Sequence, residues 1–239
     1  MKRIASVQSN YIPWKGYFDL IATVDEFVFF DDMQYTRRDW RNRNRIKTAG
    51  GTRWLTIPVE VSGRYHQRID ETRISDPAWT RSHWSTLAQA YRDAPHFRAL
   101  APRVEAMYGA ATSPMLSEVN QSFTMEICAM LGIGTRFSRS TDYGSFPGKT
   151  ERLVGLCLAA GATHYLSGPA ARDYIDPLQF ERAGVVLEWM DYGGYPEHPQ
   201  LHPPFEHAVT VLDLLFNTGP QAPRYMKLAA GARAWNSPS

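Results

Sequence analysis

The chain has 239 residues, 44 % of them hydrophobic and 13 % aromatic, with 26 basic side chains against 24 acidic ones. That composition supports a sizeable core and excludes wholesale disorder, while a net charge of +2 excludes a global electrostatic pull toward nucleic acid or anionic membrane. The apolar runs are short, such as Phe27–Phe30, far below the roughly 20 residues that a bilayer-spanning helix needs.

The N-terminal residues lead straight into a strand-like run, Ile4–Val7, without the apolar core of a leader, so the expected compartment is the cytoplasm. A short helix over Lys15–Thr23 follows Pro13, and Val24–Phe30, rich in β-branched and aromatic residues, reads as a second strand. Strand, helix and strand in this order predict a parallel βαβ unit. Arg45–Thr48 and Trp54–Val59 flank Ala49-Gly50-Gly51-Thr52, which predicts a hairpin.

Between about 76 and 132 the pattern becomes helical. Asp76-Pro77 supplies a cap and a proline for a helix carrying Trp84, Leu87, Ala88 and Tyr91, and a second carries Phe97, Leu100, Val104, Met107 and Tyr108. A third opens at Ser113-Pro114 and presents Leu116, Val119, Phe123, Ile127 and Met130 on one face. Alternation then returns, with strands at Thr135–Ser138, His164–Leu166 and Val185–Trp189 and helices at Glu151–Ala160 and after Asp176-Pro177. The expected architecture is α/β: a mostly parallel sheet with flanking helices, a β-hairpin extension and a helical insert. One domain spans residues 1–219, followed by an irregular tail over 220–239 that frays at Ser237-Pro238-Ser239.

Cys128 and Cys157 lie on apolar helical stripes and read as reduced core residues. The seven histidines show no zinc spacing; His198, His202 and His207 fall in an irregular proline-rich loop, and no metal site is expected. The glycine spacing of a phosphate-binding P-loop and the G-x-S-x-G elbow of hydrolases are both missing from the sequence.

Four polar clusters stand where predicted strands end, the place where open α/β sheets build their sites. The first, Gln8-Ser9-Asn10-Tyr11 through Lys15, runs into a helix start suited to an anion. In the second, Asp31-Asp32-Met33-Gln34, adjacent carboxylates need partners if buried, and they suit a proton acceptor, an amine holder or Mg²⁺ ligands. The third carries Arg37, Arg38, Arg41, Arg43, Arg45 and Lys47 against one acid, Asp39, interleaved with Trp40, Asn42 and Asn44; guanidinium forks of this kind clamp phosphate or carboxylate. Arginine with aromatic residues also fits single-stranded nucleic acid, a reading that the near-zero net charge weighs against. The fourth, Tyr165-Leu-Ser167-Gly168-Pro-Ala-Ala-Arg172-Asp173-Tyr174, is a strand-to-turn segment able to wrap an anion or a ribose. The expectation is that all four meet at one rim.

Val7-Gln-Ser-Asn-Tyr-Ile-Pro-Trp-Lys-Gly-Tyr-Phe-Asp19, Phe29-Phe-Asp-Asp-Met-Gln-Tyr35, Trp40-Arg-Asn-Arg-Asn-Arg-Ile-Lys47 and Tyr165 to Tyr174 together resemble the WbqC-like family. Trp54-Leu-Thr-Ile-Pro-Val59 and Asp213-Leu-Leu-Phe-Asn217 also look like its blocks, so the likeness covers about residues 3–219. The resemblance implies O-antigen, other glycan or specialised-metabolite biosynthesis. A second likeness, of fold, is to nucleotidylyltransferases and pantothenate synthetase; Trp14 and Tyr17 stand where that group has the histidines of its H-x-G-H signature.

The leading expectation is a transferase moving an acyl or aminoacyl group to an amine. Asp31 or Asp32 serves as base or amine holder, Gln8, Asn10 and Ser167 orient, and Lys15, Arg41 and Arg43 clamp the anion, with Tyr11, Gln34, Arg37, Arg38, Asn44, Lys47, Gly168, Arg172 and Asp173 around the substrate. The expected partner is an anionic small molecule, a sugar nucleotide or a carrier-protein thioester, with no nucleic acid and no membrane; no cofactor is indicated. Two other readings are Mg²⁺-dependent nucleotidyl transfer with Asp31 and Asp32 on the metal, and a non-catalytic module that binds a carrier-linked intermediate.

Overall fold

The computed structural model describes residues 1–227. Five parallel strands, β1 (Arg3–Val7), β2 (Glu26–Phe29), β5 (Arg136–Arg139), β6 (His164–Ser167) and β7 (Val186–Trp189), form one sheet in the order β5-β2-β1-β6-β7. β3 (Arg43–Thr48) and β4 (Gly51–Thr56) form a separate antiparallel hairpin. The chain builds outward from β1 to β2 and β5, then returns to β1's other side with β6 and β7. This is a doubly wound order whose switch point lies between β1 and β6. The expected α/β architecture is therefore present.

Alternation along the strands separates two cores. Ala5, Phe27 and Phe29 face one layer, where α1 (Lys15–Ala22) contributes Phe18 and Ile21 and α4 (Leu116–Leu131) contributes Val119, Phe123 and Ile127. Ile4, Val28 and Phe30 face the other, packed by Leu153, Leu156 and Cys157 of α5 (Thr150–Ala159) and Phe180 of α6 (Pro177–Arg182). The hairpin, α2 (Trp79–Tyr91), α3 (Phe97–Gly109) and α4 all belong to the connection from β2 to β5, so the helical block is part of one long crossover. Both cysteines are free and buried; burial pushes the Cys157 thiol up to about 12 and that of Cys128 higher still.

Several boundaries differ from expectation for identifiable reasons. The hairpin turn is the two-residue Ala49-Gly50, so pairing begins at Arg43 and ends at Thr56, and Pro58 has no N–H to extend it. The Asp76 carboxylate accepts from the Ala78 N–H in a turn before α2 rather than in its first turn. Ser113–Met115 stays extended against Arg73 and Ile74, which delays α4 to Leu116; its end is set by Gly132, whose φ of 73° is open to glycine and costly for other residues. A further helix, α7 (Val211–Thr218), is buried along its whole length, its polar residues Asp213 and Asn217 included. Within the tail, Gly219–Tyr225 forms 3₁₀ turns that bury Ala222 rather than irregular chain; residues 228–239, including the expected frayed end, lie outside the described residues.

The helical block is tied to the β1 loop by an aromatic cluster. Tyr11, Trp79, His83, Tyr108 and Phe123 are all buried in mutual contact, and the Tyr11 hydroxyl bonds His83 Nδ1 at 2.8 Å and the Tyr108 hydroxyl. Burial lowers the His83 pKa from 6.5 to about 4, against an opposing hydrogen bond to the Thr56 backbone. Between those values the unfolded chain binds a proton that the folded chain excludes, so stability falls as pH falls through this window, by an amount of the order of 3 kcal/mol at its lower end. Urea unfolding of wild type and His83→Gln between pH 7 and 5 should show a shallower pH dependence in the variant; equal slopes would contradict the neutral, buried assignment.

Candidate functional site

At the carboxyl end of β2 the chain continues as Phe30-Asp31-Asp32, and the two carboxylates take different partners. Asp31 is buried; its Oδ1 accepts the backbone N–H of Ser9, just past β1, at 2.7 Å, and its Oδ2 accepts Gln121 Nε2 of α4 at 2.7 Å. Arg139, ending β5, donates in turn to Gln121 Oε1 at 3.0 Å. Asp32 accepts from Ser140 Oγ at 2.6 Å and pairs with Arg152 of α5, on the other side of the sheet. Burial raises the Asp31 carboxyl above its ordinary value of 3.8, although the Ser9 N–H, the Gln121 amide and the Arg41 charge all pull it down.

A cavity of about 130 Å³ opens here, lined by Asp31, Asp32, Asp70, Glu118, Gln121 and Arg139 among others. Asp70 sits in the 3₁₀ turn Ile69–Glu71, whose N–H bonds the Asp31 carbonyl at 2.9 Å; burial pushes its carboxyl upward against the pull of Arg68. Four carboxyl groups and one guanidinium line this cavity, with Asp32 and Asp70 paired to Arg152 and Arg68. Among the described residues no three His, Cys, Asp or Glu side chains are grouped to hold a metal ion.

Arg41 spans the β1 loop beside it, donating to Gln8 Oε1 at 3.0 Å and to Asn10 Oδ1, and pairing with Asp39 at 3.6 Å. Its carbonyl accepts Asn120 Nδ2 of α4 at 2.7 Å. Gln8, Asn10, Asp31, Asp32 and Arg41 are thus brought together. On the other side of Asn10 lies a second cavity of about 280 Å³, lined by Asn10, Pro13, Trp14, Trp40, Asn44, His207 and Ala208.

The remaining expected residues take partners of their own in the fold. Tyr11 is a core side chain rather than a substrate contact, for the reason given above. Lys15 is buried under Tyr195 and donates to the Pro196 carbonyl at 2.8 Å; burial lowers its pKa, partly countered by Asp19 and Asp213. The ammonium of Lys47 is held by the Pro204 carbonyl, and the Asn44 amide holds the carbonyls of Tyr11 and Ile12 at 3.1 and 2.9 Å. Arg37 bonds the Val61 carbonyl, Arg43 the Arg38 carbonyl, and Gln34 the Tyr65 carbonyl at 2.9 Å. Ser167 and Gly168 end β6 at the switch point, with Gly168 under Tyr192, while Arg172 stacks on Trp189 and Asp173 is exposed; none of these four lines either cavity. His198, from the proline-rich loop, bonds the buried Asp213 of α7 at 2.8 Å.

Sequence reading passed over Asp70, Ser117, Glu118, Gln121, Arg139 and Arg152. A signal for the α4 residues existed: Ser117, Asn120, Gln121 and Thr124 recur at helical spacing on a helix whose other buried residues are apolar, and all four are buried.

A doubly wound α/β domain with a polar cavity at the carboxyl ends of its strands is the class that this geometry defines. The chain belongs to the WbqC-like protein family, whose model matches residues 8–225. It is 52 % identical over 227 residues to Uncharacterized protein Rv1507c of Mycobacterium tuberculosis, covering 95 % of this chain and 98 % of the relative. No solved structure matches the chain. No helix among the described residues is long and apolar enough to cross a membrane.

Replacing Asp31 by Ala strips the acceptor from the buried Ser9 N–H and from Gln121. The expected cost in urea unfolding is about 2–4 kcal/mol, with faster hydrogen exchange at the Ser9 amide, whereas Asp31→Asn, which keeps an acceptor, should cost less. Unchanged exchange at Ser9 in Asp31→Ala would refute this bridging role.

Proposed function

We propose that the protein is a transferase that moves an acyl or aminoacyl group from an anionic nucleotide- or carrier-linked donor onto an amine, in glycan or specialised-metabolite biosynthesis. The observation that carries this reading is the position of Asp31: a buried carboxyl with a raised pKa, in the wall of a cavity that also holds Asp32, Asp70 and Glu118. Such a cavity attracts a protonated amine, and a carboxylate of raised basicity is suited to receive its proton.

In the proposed step the bound ammonium first gives one proton to solvent water, and the free amine nitrogen then attacks the donor's carbonyl carbon. The C–N bond forms, the C–O or C–S bond to the donor breaks, the amine proton passes to Asp31, and the carrier leaves as the anion. Arg41, held in place by Gln8 and Asn10, is the cation next to Asp31 on the β1 loop, and we assign it the charge that develops on the carbonyl oxygen. Asp32, paired with Arg152, orients the amine.

The test is a mass-spectrometric screen for amide formation with acyl thioesters and nucleotide-activated acyl groups against amino sugars and diamines. With a productive pair, Asp31→Asn should lower turnover by about 10²–10⁴-fold. Wild-type activity should rise with pH through a carboxyl pKa above 3.8, and this limb should vanish in the variant. Undiminished turnover in Asp31→Asn would remove the base assignment; ligand-induced stabilisation without turnover against any donor would favour a binding module.

A further inference from the structure

The hairpin carries an arrangement that the amine cavity does not use. Trp40 and Trp54, the latter on β4, are 40 % and 42 % exposed, and their rings lie 5.4 Å apart at an interplanar angle of 36°. The Arg43 guanidinium stands 4.2 Å from the Trp54 ring centre and that of Arg45 5.6 Å. The Nε–H groups of both arginines are shielded from water and have no acceptor among the described residues. Buried donors of this kind cost about 1–3 kcal/mol each unless something accepts from them. Asp39, the one acid between residues 37 and 47, is committed to Arg41.

Trp40 also lines the 280 Å³ cavity, as does Trp14. Trp14 is fixed there by Tyr192 and Tyr195, at ring distances of 5.3 and 5.4 Å, and by Gly16, where a Cβ would lie 2.4 Å from the indole. The volume is near the lower end of small-ligand pockets and suits one planar ring with its sugar. A guanidinium stacked on an indole keeps its N–H edge free for a phosphate.

We infer that this cavity and the adjoining arginine face form a nucleotide site, with the base between Trp14 and Trp40 and the phosphates on Arg43 and Arg45. The two indoles offer stacking for one base, and the two guanidinium charges held against Trp54 attract its phosphates. A single-stranded nucleic acid would need a succession of stacking platforms along a charged groove, whereas the cavity accommodates one ring. This inference rests on the transferase reading for the ligand's part in the reaction, as the leaving portion of the donor, but not for its binding.

Titration calorimetry with UDP and ADP, alongside pyrophosphate, the nucleosides and a deoxythymidine decamer, tests it, with tryptophan fluorescence as a second readout. A nucleoside diphosphate should bind with Kd below about 1 mM and quench fluorescence, more tightly than pyrophosphate or nucleoside alone. Trp40→Ala should weaken it by about tenfold or more. Arg45→Gln should weaken the diphosphate and leave nucleoside binding unchanged. Absence of diphosphate binding, equal affinity in Trp40→Ala, or a decamer that binds more than about tenfold tighter than the mononucleotide would each overturn the site. These outcomes are independent of turnover. No nucleotide binding in an enzyme whose turnover depends on Asp31 sinks this inference alone, while nucleotide binding with Asp31→Asn fully active sinks the base assignment alone.

Discussion

One buried carboxylate organises the carboxyl-terminal edge of the sheet. A carboxylate out of water is tolerated only with donors on its oxygens, and Asp31 takes them from two parts of the chain far apart in sequence: the Ser9 backbone after β1 and Gln121 of α4. Arg139 then fixes Gln121, and the Asp31 carbonyl receives the Asp70 N–H. Three connections therefore converge on one residue and a fourth reaches it through Gln121, and the cavity lies beside this junction. The desolvation that makes the group demanding structurally is also what raises its pKa, so architecture and reactivity share a cause.

The cations of the Arg37–Lys47 stretch show how a uniform-looking charge run is divided by strand geometry. Arg41, before β3, turns to the β1 loop and holds Gln8 and Asn10. Along β3 the pleat sends Asn44 and Ile46 inward and sets Arg43 and Arg45 beside Trp54 on the neighbouring strand. Lys47 is consumed by the Pro204 carbonyl. Charge density alone carries no information on this division; it follows from period-2 alternation and from which carbonyls the returning loops present.

Much of the fold was legible because its strands are short apolar runs bounded by helical periodicity, as at Ile4–Val7 and Val185–Trp189, and the parallel sheet follows from that alternation. Asp31, Asp32, Gln8 and Asn10 were legible as a group because they sit directly after strands. The helix at Val211–Thr218 was passed over, although Thr210 caps it and Asp213 and Asn217 recur at helical spacing. The partition of the first three clusters between two cavities, with the fourth lining neither, was not legible, because Tyr11, Lys15 and Lys47 look like ligand contacts in sequence and are used inside the protein instead. The polar residues of α4 were readable in principle, but a single apolar stripe drew attention away from the second stripe beside it.

The hairpin and α4, which each contribute wall residues to one of the two cavities, lie with α2 and α3 in the connection between β2 and β5, strands that are hydrogen-bonded neighbours yet stand about a hundred residues apart in the chain. Loop-closure entropy grows only with the logarithm of length, so lengthening or shortening this excursion costs the sheet little, of the order of 0.6 kcal/mol per doubling. Ligand preference can therefore diverge by rewriting one contiguous stretch while the strands are left alone. The same arrangement makes assembly late: β5 cannot dock on β2 until the whole excursion has emerged and collapsed, which leaves the outer edge of β2 unpaired through much of synthesis.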